Sequence, residues 1–189
     1  MYTIQLVRNN KDLEEIAALS SANLRTVVSE VEKAEQGFIT WEYHLKLLQD
    51  MHAIAPSIIA TYDDQVVGYA LVATHAMSDV HAEMKVMLNN LATLTYEGKP
   101  MNDYKYYMMG QICIAKEHRG QGLFDQLYEY HRKVYQDRYD ILLTEVSTSN
   151  HRSLKAHQRV GFKTIHTYRD HMDEWNVVVW DWRKGNDEL

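Results

Sequence analysis

Residues 111–127, Gln111-Ile112-Cys113-Ile114-Ala115-Lys116-Glu117-His118-Arg119-Gly120-Gln121-Gly122-Leu123-Phe124-Asp125-Gln126-Leu127, constrain this chain more tightly than any other stretch. An extended apolar run enters a turn with two glycines, and the turn opens a helical pattern in which Leu123, Leu127 and Tyr130 share one face. A strand passed directly to a helix is a unit of an α/β fold, because the helix must pack back onto the sheet. The same unit captures anions. The first helical turn leaves backbone N–H groups unpaired, and the macrodipole adds about half a positive charge there. Gly120 and Gly122 permit close approach, and Arg119 adds a full charge able to pair with a phosphate oxygen. Neither of the best-known phosphate signatures is met: no Gly-Lys-Ser/Thr ending follows, and Asp125 stands where a dinucleotide fingerprint has its third glycine.

Periodicity around this unit predicts a mixed sheet with helices on its faces. Strands are expected at Thr3 to Arg8, at 57–62 and 66–73 as a hairpin, at Tyr104 to Ala115, at Asp140 to Val146, and at 162–168 and 175–182. Helices are expected near 11–19, from Ser29 or Thr40 to Pro56, from Leu123 to Asp137, and from Asn150 to Val160 before Gly161. A helical period also fills His75 to Asp103 through Val80, Met84, Met87, Leu88 and Leu91. No composition shift marks a second domain, so residues 1–189 are expected to form one domain with an added helical segment near 76–103.

Composition excludes several function classes. The single cysteine, Cys113, cannot close a disulfide within the chain or join a thiolate metal cage, and points to the cytoplasm. The ten histidines are scattered without a metal-binding spacing, so no metal is expected. No apolar run approaches a membrane span, and the first residues alternate like a strand where a signal peptide would show a basic start. A net charge of −6 argues against nucleic acid as a partner. That charge is unevenly spread: residues 146–169 hold Arg152, Lys155, Arg159, Lys163 and Arg169 and no carboxylate. A stretch like this is either a solvated face or an attraction for phosphate beside the glycine turn.

A second motif lies downstream, Asn150-His151-Arg152-Ser153-Leu154-Lys155-Ala156-His157-Gln158-Arg159-Val160-Gly161-Phe162. Together with Arg119-Gly120-Gln121-Gly122-Leu123-Phe124, it resembles the GNAT superfamily of acyl-CoA-dependent N-acyltransferases. Their signatures are Gln/Arg-x-x-Gly-x-Gly/Ala after a splayed strand and Asn-x-x-Ala/Ser-x-x-x-Tyr-x-x-x-Gly-Phe. Two departures are visible: Phe124 replaces Gly or Ala, and His157 replaces Tyr. The resemblance implies a largely antiparallel sheet splayed between its fourth and fifth strands, with acetyl-CoA in the gap. It places Ile112, Cys113 and Ile114 along the pantetheine arm, Arg119, Gly120, Gln121, Gly122, Leu123 and Phe124 around the pyrophosphate, and Asn150 and Ser153 opposite.

Amide formation needs a neutral amine, stabilisation of the carbonyl oxygen and a proton for the departing thiolate. The resemblance puts His157 where the family's Tyr is the general acid, with packing against the CoA arm as the alternative. The fourth strand lacks the carboxylate that many members carry, which leaves Glu145 as the candidate base or as a structural ion-pair partner. Cys113 is expected to be a buried strand residue and not a nucleophile. Trp180 and Trp182 share one strand face, as core or as a subunit contact in a homodimer, and the Met84 and Met87 stripe reads as packing. The expected activity is acetyl transfer from acetyl-CoA to a small-molecule or peptide amine. A non-catalytic acyl-CoA sensor and a phosphate-binding turn unrelated to CoA are the competing readings.

Overall fold

A computed structural model describes residues 1–183. Its elements are β1 (Tyr2–Leu6), α1 (Asn10–Ala22), α2 (Glu30–Gln36), α3 (Leu45–Ile54), β2 (Ile58–Tyr62), β3 (Gln65–Ala73), α4 (Ala82–Ala92), β4 (Thr95–Tyr96), β5 (Lys99–Pro100), β6 (Tyr106–Ile114), α5 (Leu123–Tyr135), β7 (Ile141–Ser147), α6 (His151–Val160), β8 (Lys163–Arg169) and β9 (Glu174–Asp181). Seven strands make one sheet in the order β1-β2-β3-β6-β7-β9-β8, and β4 and β5 form a separate ribbon. Only the β6–β7 pair is parallel within the large sheet.

Alternation along the strands divides the interior into two layers. On β3, Tyr69, Leu71 and Ala73 face the layer built with α1 and α3, while Ala70 and Val72 face the α5 layer. On β7, Ile141 and Leu143 belong to the first layer and Leu142 and Val146 to the second. Burial of both faces explains why β2, β3 and β7 read as nearly continuous apolar runs.

The sheet opens at its centre. Pairing between β6 and β7 covers only Tyr106–Ile141, Tyr107–Leu142 and Met108–Leu143. Immediately beyond, the Thr144 hydroxyl donates to the Met109 carbonyl at 2.8 Å, closing the base of the gap. On its other side, β6 carries a bulge. Ala70 and Val72 of β3 face Ile112 and Met109, so Gly110 and Gln111 together oppose one residue, Leu71. This is the splay expected between the fourth and fifth long strands.

Two expectations need correction. The helix expected at Thr40 begins at Leu45, capped by the His44 ring, whose Nδ1 accepts from the Leu47 N–H at 3.1 Å, and Ser29 caps a separate α2. The segment between His75 and Asp103 is helical only in part. A positive φ at Glu97 and Gly98 turns the chain into the β4–β5 ribbon, and Met101 N–H bonds back to the Leu94 carbonyl. Met84, Leu88 and Leu91 are buried as the periodicity indicated.

Candidate active site

At the mouth of the splay lies a cavity of about 540 Å³, lined from both layers. Ile112, Cys113 and Ile114 form its strand wall, and Arg119, Gly120, Gly122, Leu123 and Phe124 its turn and helix wall. Asn150 and Ser153 close it from α6. Of the residues expected to hold the cofactor, Gln121 alone is not in the lining, and it is exposed.

The glycine turn has the predicted geometry. Gly120 and Gly122 have φ of +76° and +72°, and no side chain caps α5. Its first-turn N–H groups are therefore available to a ligand. Arg119 sits at the same corner with its guanidinium partly engaged: Nε donates to the Ile114 carbonyl at 3.0 Å and Nη2 to Asn23 Oδ1 at 2.8 Å. Nη1 is buried and has no partner among the described residues. A buried guanidinium N–H facing no acceptor is costly, and a phosphate oxygen would satisfy it.

Asn150, which lines the cavity, also has a structural task. Its Oδ1 accepts from the Ser153 N–H at 3.2 Å, capping α6, and its Nδ2 donates to the Phe38 carbonyl at 3.1 Å. Each polar atom has a protein partner, fastening the loop after α2 to α6. Gly37, with φ of +78°, has Asn150 Oδ1 2.8 Å from where a Cβ would stand, so any larger residue would break this fastening. The loop supplies Gly37, Phe38 and Ile39 to the cavity, and Asn23 joins them. Sequence reasoning missed these four, since they reach the site through a bridge between Leu24 and Ile39 and through Asn150.

The basic stretch is divided between ligand wall and ion pairs. His151, Arg152, Lys155, Ala156 and Arg159 line the cavity, but Arg159 also bridges to Asp125 at 2.8 Å, and Arg169 pairs with Glu174.

His157 does not line the cavity. It is 1% exposed, its Nδ1 donates to the Ser153 carbonyl at 2.8 Å, and its Nε2 accepts from the Tyr128 hydroxyl at 2.6 Å. A carbonyl oxygen only accepts, which places a proton on Nδ1. Burial pushes its pKa down to about 4. Both ring nitrogens are engaged by protein partners, a geometry that favours the packing alternative over the imidazolium acid. Phe124, the other departure, packs its ring against His157 and Tyr128 at 5.1 Å from each, so the two unusual residues form one contact.

Glu145 stands on the α1 and α3 side of the gap. Its Oε1 accepts from the Tyr168 hydroxyl at 2.7 Å, and Oε2 has no partner among the described residues. Burial raises its pKa to about 7, against the lowering by the Tyr168 hydrogen bond. The Tyr43 phenol is held well above its ordinary value by burial and by the Glu145 charge. Its Oη lies 2.8 Å from where a Cβ on Gly110 would stand, beside the bulge. Burial pushes the Cys113 thiol up to about 12, which keeps it protonated at neutral pH.

Known proteins share this architecture. An N-acetyltransferase of Escherichia coli, specific by name for the alanine of ribosomal protein S18, superposes with a TM-score of 0.65 at 13% identity, over 100% of this chain and 99% of that one. The NatC complex, solved with Gag peptide and CoA, gives 0.67 at 12% identity, over 95% and 98%. The protein yncA of Salmonella typhimurium, solved with its cofactor acetyl-CoA, gives 0.62 at 12% identity, over 98% and 96%. No curated protein matches the sequence. These likenesses establish the fold. The Acetyltransferase (GNAT) family model matches residues 21–162, a span that runs from the end of α1 through the glycine turn to Phe162 of the second motif. With most of the sequence and both halves of the cavity inside that match, the chain belongs to the GNAT acetyltransferase family.

Proposed function

We propose that the protein transfers an acetyl group from acetyl-CoA to a primary amine, with Glu145 as the general base. The observation that carries this reading is the cavity at the splay, whose lining includes both an uncapped helix N-terminus and Arg119, with Nη1 unpartnered among the described residues. Both fit the pyrophosphate of CoA. Acetyl-CoA, when bound, supplies the activated acyl thioester. The chain's own residues do the rest. Ile112, Cys113 and Ile114 orient the pantetheine by their backbone, and Arg119, Gly120, Gly122, Leu123 and Phe124 hold the phosphates. Backbone N–H groups of the β6 edge donate to the carbonyl oxygen as it gains charge. Glu145 Oε2 accepts the amine proton from the other side of the gap. His157 keeps α5 and α6 in register through Tyr128 and does not donate a proton; as the C–N bond forms the C–S bond breaks, and the departing CoA thiolate takes its proton from solvent.

A peptide amine is the favoured acceptor. Support comes from the E. coli enzyme named for a ribosomal protein alanine and from NatC with its Gag peptide. The continuous seven-stranded sheet from β1 to β8 supports a single domain over the described residues, and a lone buried Cys113 suits the cytoplasm. Among the described residues no helix is long and apolar enough to cross a membrane.

Incubation of the purified protein with acetyl-CoA and a panel of peptide and small amines, following free CoA thiol, tests the activity. Release above hydrolysis with at least one amine is expected, and tight CoA binding without turnover on any amine would favour a sensor. Arg119→Ala is expected to weaken CoA binding about tenfold, as measured by calorimetry. Arg119→Lys should recover only part of the loss, because the fork that also holds Asn23 is gone. Unchanged affinity in Arg119→Ala would remove the phosphate role.

A further inference from the structure

Glu145 is held by a strand it does not pair with. Within the sheet it faces Val177 of β9, while Tyr168 on β8 faces Trp175. Because β9 lies between β7 and β8, the Tyr168 side chain must cross a full strand to put its hydroxyl 2.7 Å from Glu145 Oε1. Its ring is braced by the near-parallel His166 ring, 6.3 Å away at 17°. Two groups act on the carboxylate from the elements around it, Tyr168 from β8 and Asp170 just beyond β8, and its charge in turn acts on Tyr43 from the connection between α2 and α3. Tyr168 resists ionisation, held far above the ordinary phenol value by burial and by the Glu145 charge, so it remains a donor across the working range.

We infer that Tyr168 is the positioning residue of this site: it anchors the Glu145 carboxylate by Oε1 so that Oε2 is the oxygen presented to the acceptor amine. The inference rests on the reading of Glu145 as the base. A glutamate side chain rotates about three bonds, and a carboxylate without an anchor samples orientations that place neither oxygen in line with the acceptor. One strong phenol bond selects an orientation. It also stabilises the charged form that burial opposes, so one contact governs both geometry and titration.

The test compares the full-length wild type with Tyr168→Phe and Glu145→Gln, which retain the shapes of the original side chains. Glutamate carboxyl carbons labelled with ¹³C are titrated by NMR, and the resonance missing in Glu145→Gln identifies the site. Transfer from acetyl-CoA to a short peptide with a free N-terminal amine is followed over the same pH range. In Tyr168→Phe the Glu145 midpoint is expected to move upward from about 7. The turnover rate at pH 7 should fall about tenfold, and the KM for acetyl-CoA should hold. The NMR arm needs no acceptor and so decides whatever peptide is used. An unmoved midpoint with Glu145→Gln inactive overturns the positioning role and leaves the base in place. Full activity in Glu145→Gln overturns the base itself, and the positioning role with it.

Discussion

Glu145→Gln is expected to lower kcat/KM for the amine by about 10²- to 10⁴-fold, the usual worth of a well-placed general base. CoA affinity should be nearly untouched, because Glu145 does not line the cofactor cavity. Oε1 can be kept as an acceptor for Tyr168 by the glutamine carbonyl, so the fold and the Tyr168 contact should survive while the proton acceptor is lost. The pH dependence follows from the raised pKa. The proposed base would act as its carboxylate, so activity in the wild type should rise as pH passes up through about 7, and this acid limb should vanish in Glu145→Gln. Amines titrate too, which makes the comparison between acceptors decisive. A limb set by Glu145 stays in place when the acceptor is changed, whereas one that tracks each amine's own pKa would sink the assignment.

The second large effect concerns stability in acid. His131 and His157 are fully buried and neutral, with pKa values pushed down by burial to about 3 and about 4. Each is wired in the same way. His131 Nε2 donates to the Ala70 carbonyl at 3.2 Å and Nδ1 accepts from Tyr107 at 2.8 Å, as His157 does with Ser153 and Tyr128. In the unfolded chain both titrate near 6.5. Above that pH neither state binds a proton, and the stability is complete. Below it the unfolded chain takes up protons that the fold refuses, so stability is lost as pH falls from about 6.5 toward 3. Glu145 works in the opposite direction. Its raised pKa makes the fold bind a proton first between about 7 and 4.5, which offsets part of the loss. The balance is a net loss on the order of 5 kcal/mol by pH 3, comparable with the whole stability of many domains. Urea midpoints measured from pH 7.5 to 4 should fall with decreasing pH, and unfolding near pH 5 should take up protons. A flat midpoint, or proton release, would show that these rings are not neutral in the fold.

The part of the site built from contiguous sequence was legible. The strand Ile112 to Ile114, the turn at Gly120 and Gly122 and the start of α5 occupy one stretch, and local physics fixes their relation before any tertiary contact forms. The hairpin of β2 and β3 was equally plain. Its two loop residues, Asp63 and Asp64, both take positive φ, as a tight turn between twisted strands requires. What failed to show was whatever depends on distant partners. The motif gave the position of His157 and not its orientation, which is set by Tyr128, 29 residues earlier, and by the ring of Phe124. The role of Asn150 is likewise decided by Phe38, 112 residues away. Tyr168 lay inside a strand correctly expected, but nothing in alternation says that its hydroxyl crosses β9 to a carboxylate. The helical period of 75–103 hid the β4–β5 ribbon because strands of two residues each are too short to leave a period of their own.

The gap between β6 and β7 makes each of them an edge strand in the middle of a sheet. Edges usually lie at the rim, where their unpaired N–H and C=O groups invite other chains and must be guarded with charge or bulges. Here the rim problem is moved inward. From Ile112 to Ile114 one flank of β6 is paired with β3 and the other faces the cleft. Amide groups on that flank should exchange with solvent hydrogen far faster than those bonded to β3, and a bound amide-bearing arm should slow them selectively. Hydrogen exchange along a single strand would then read out occupancy of the cleft with alternate residues as the signal, independently of any turnover.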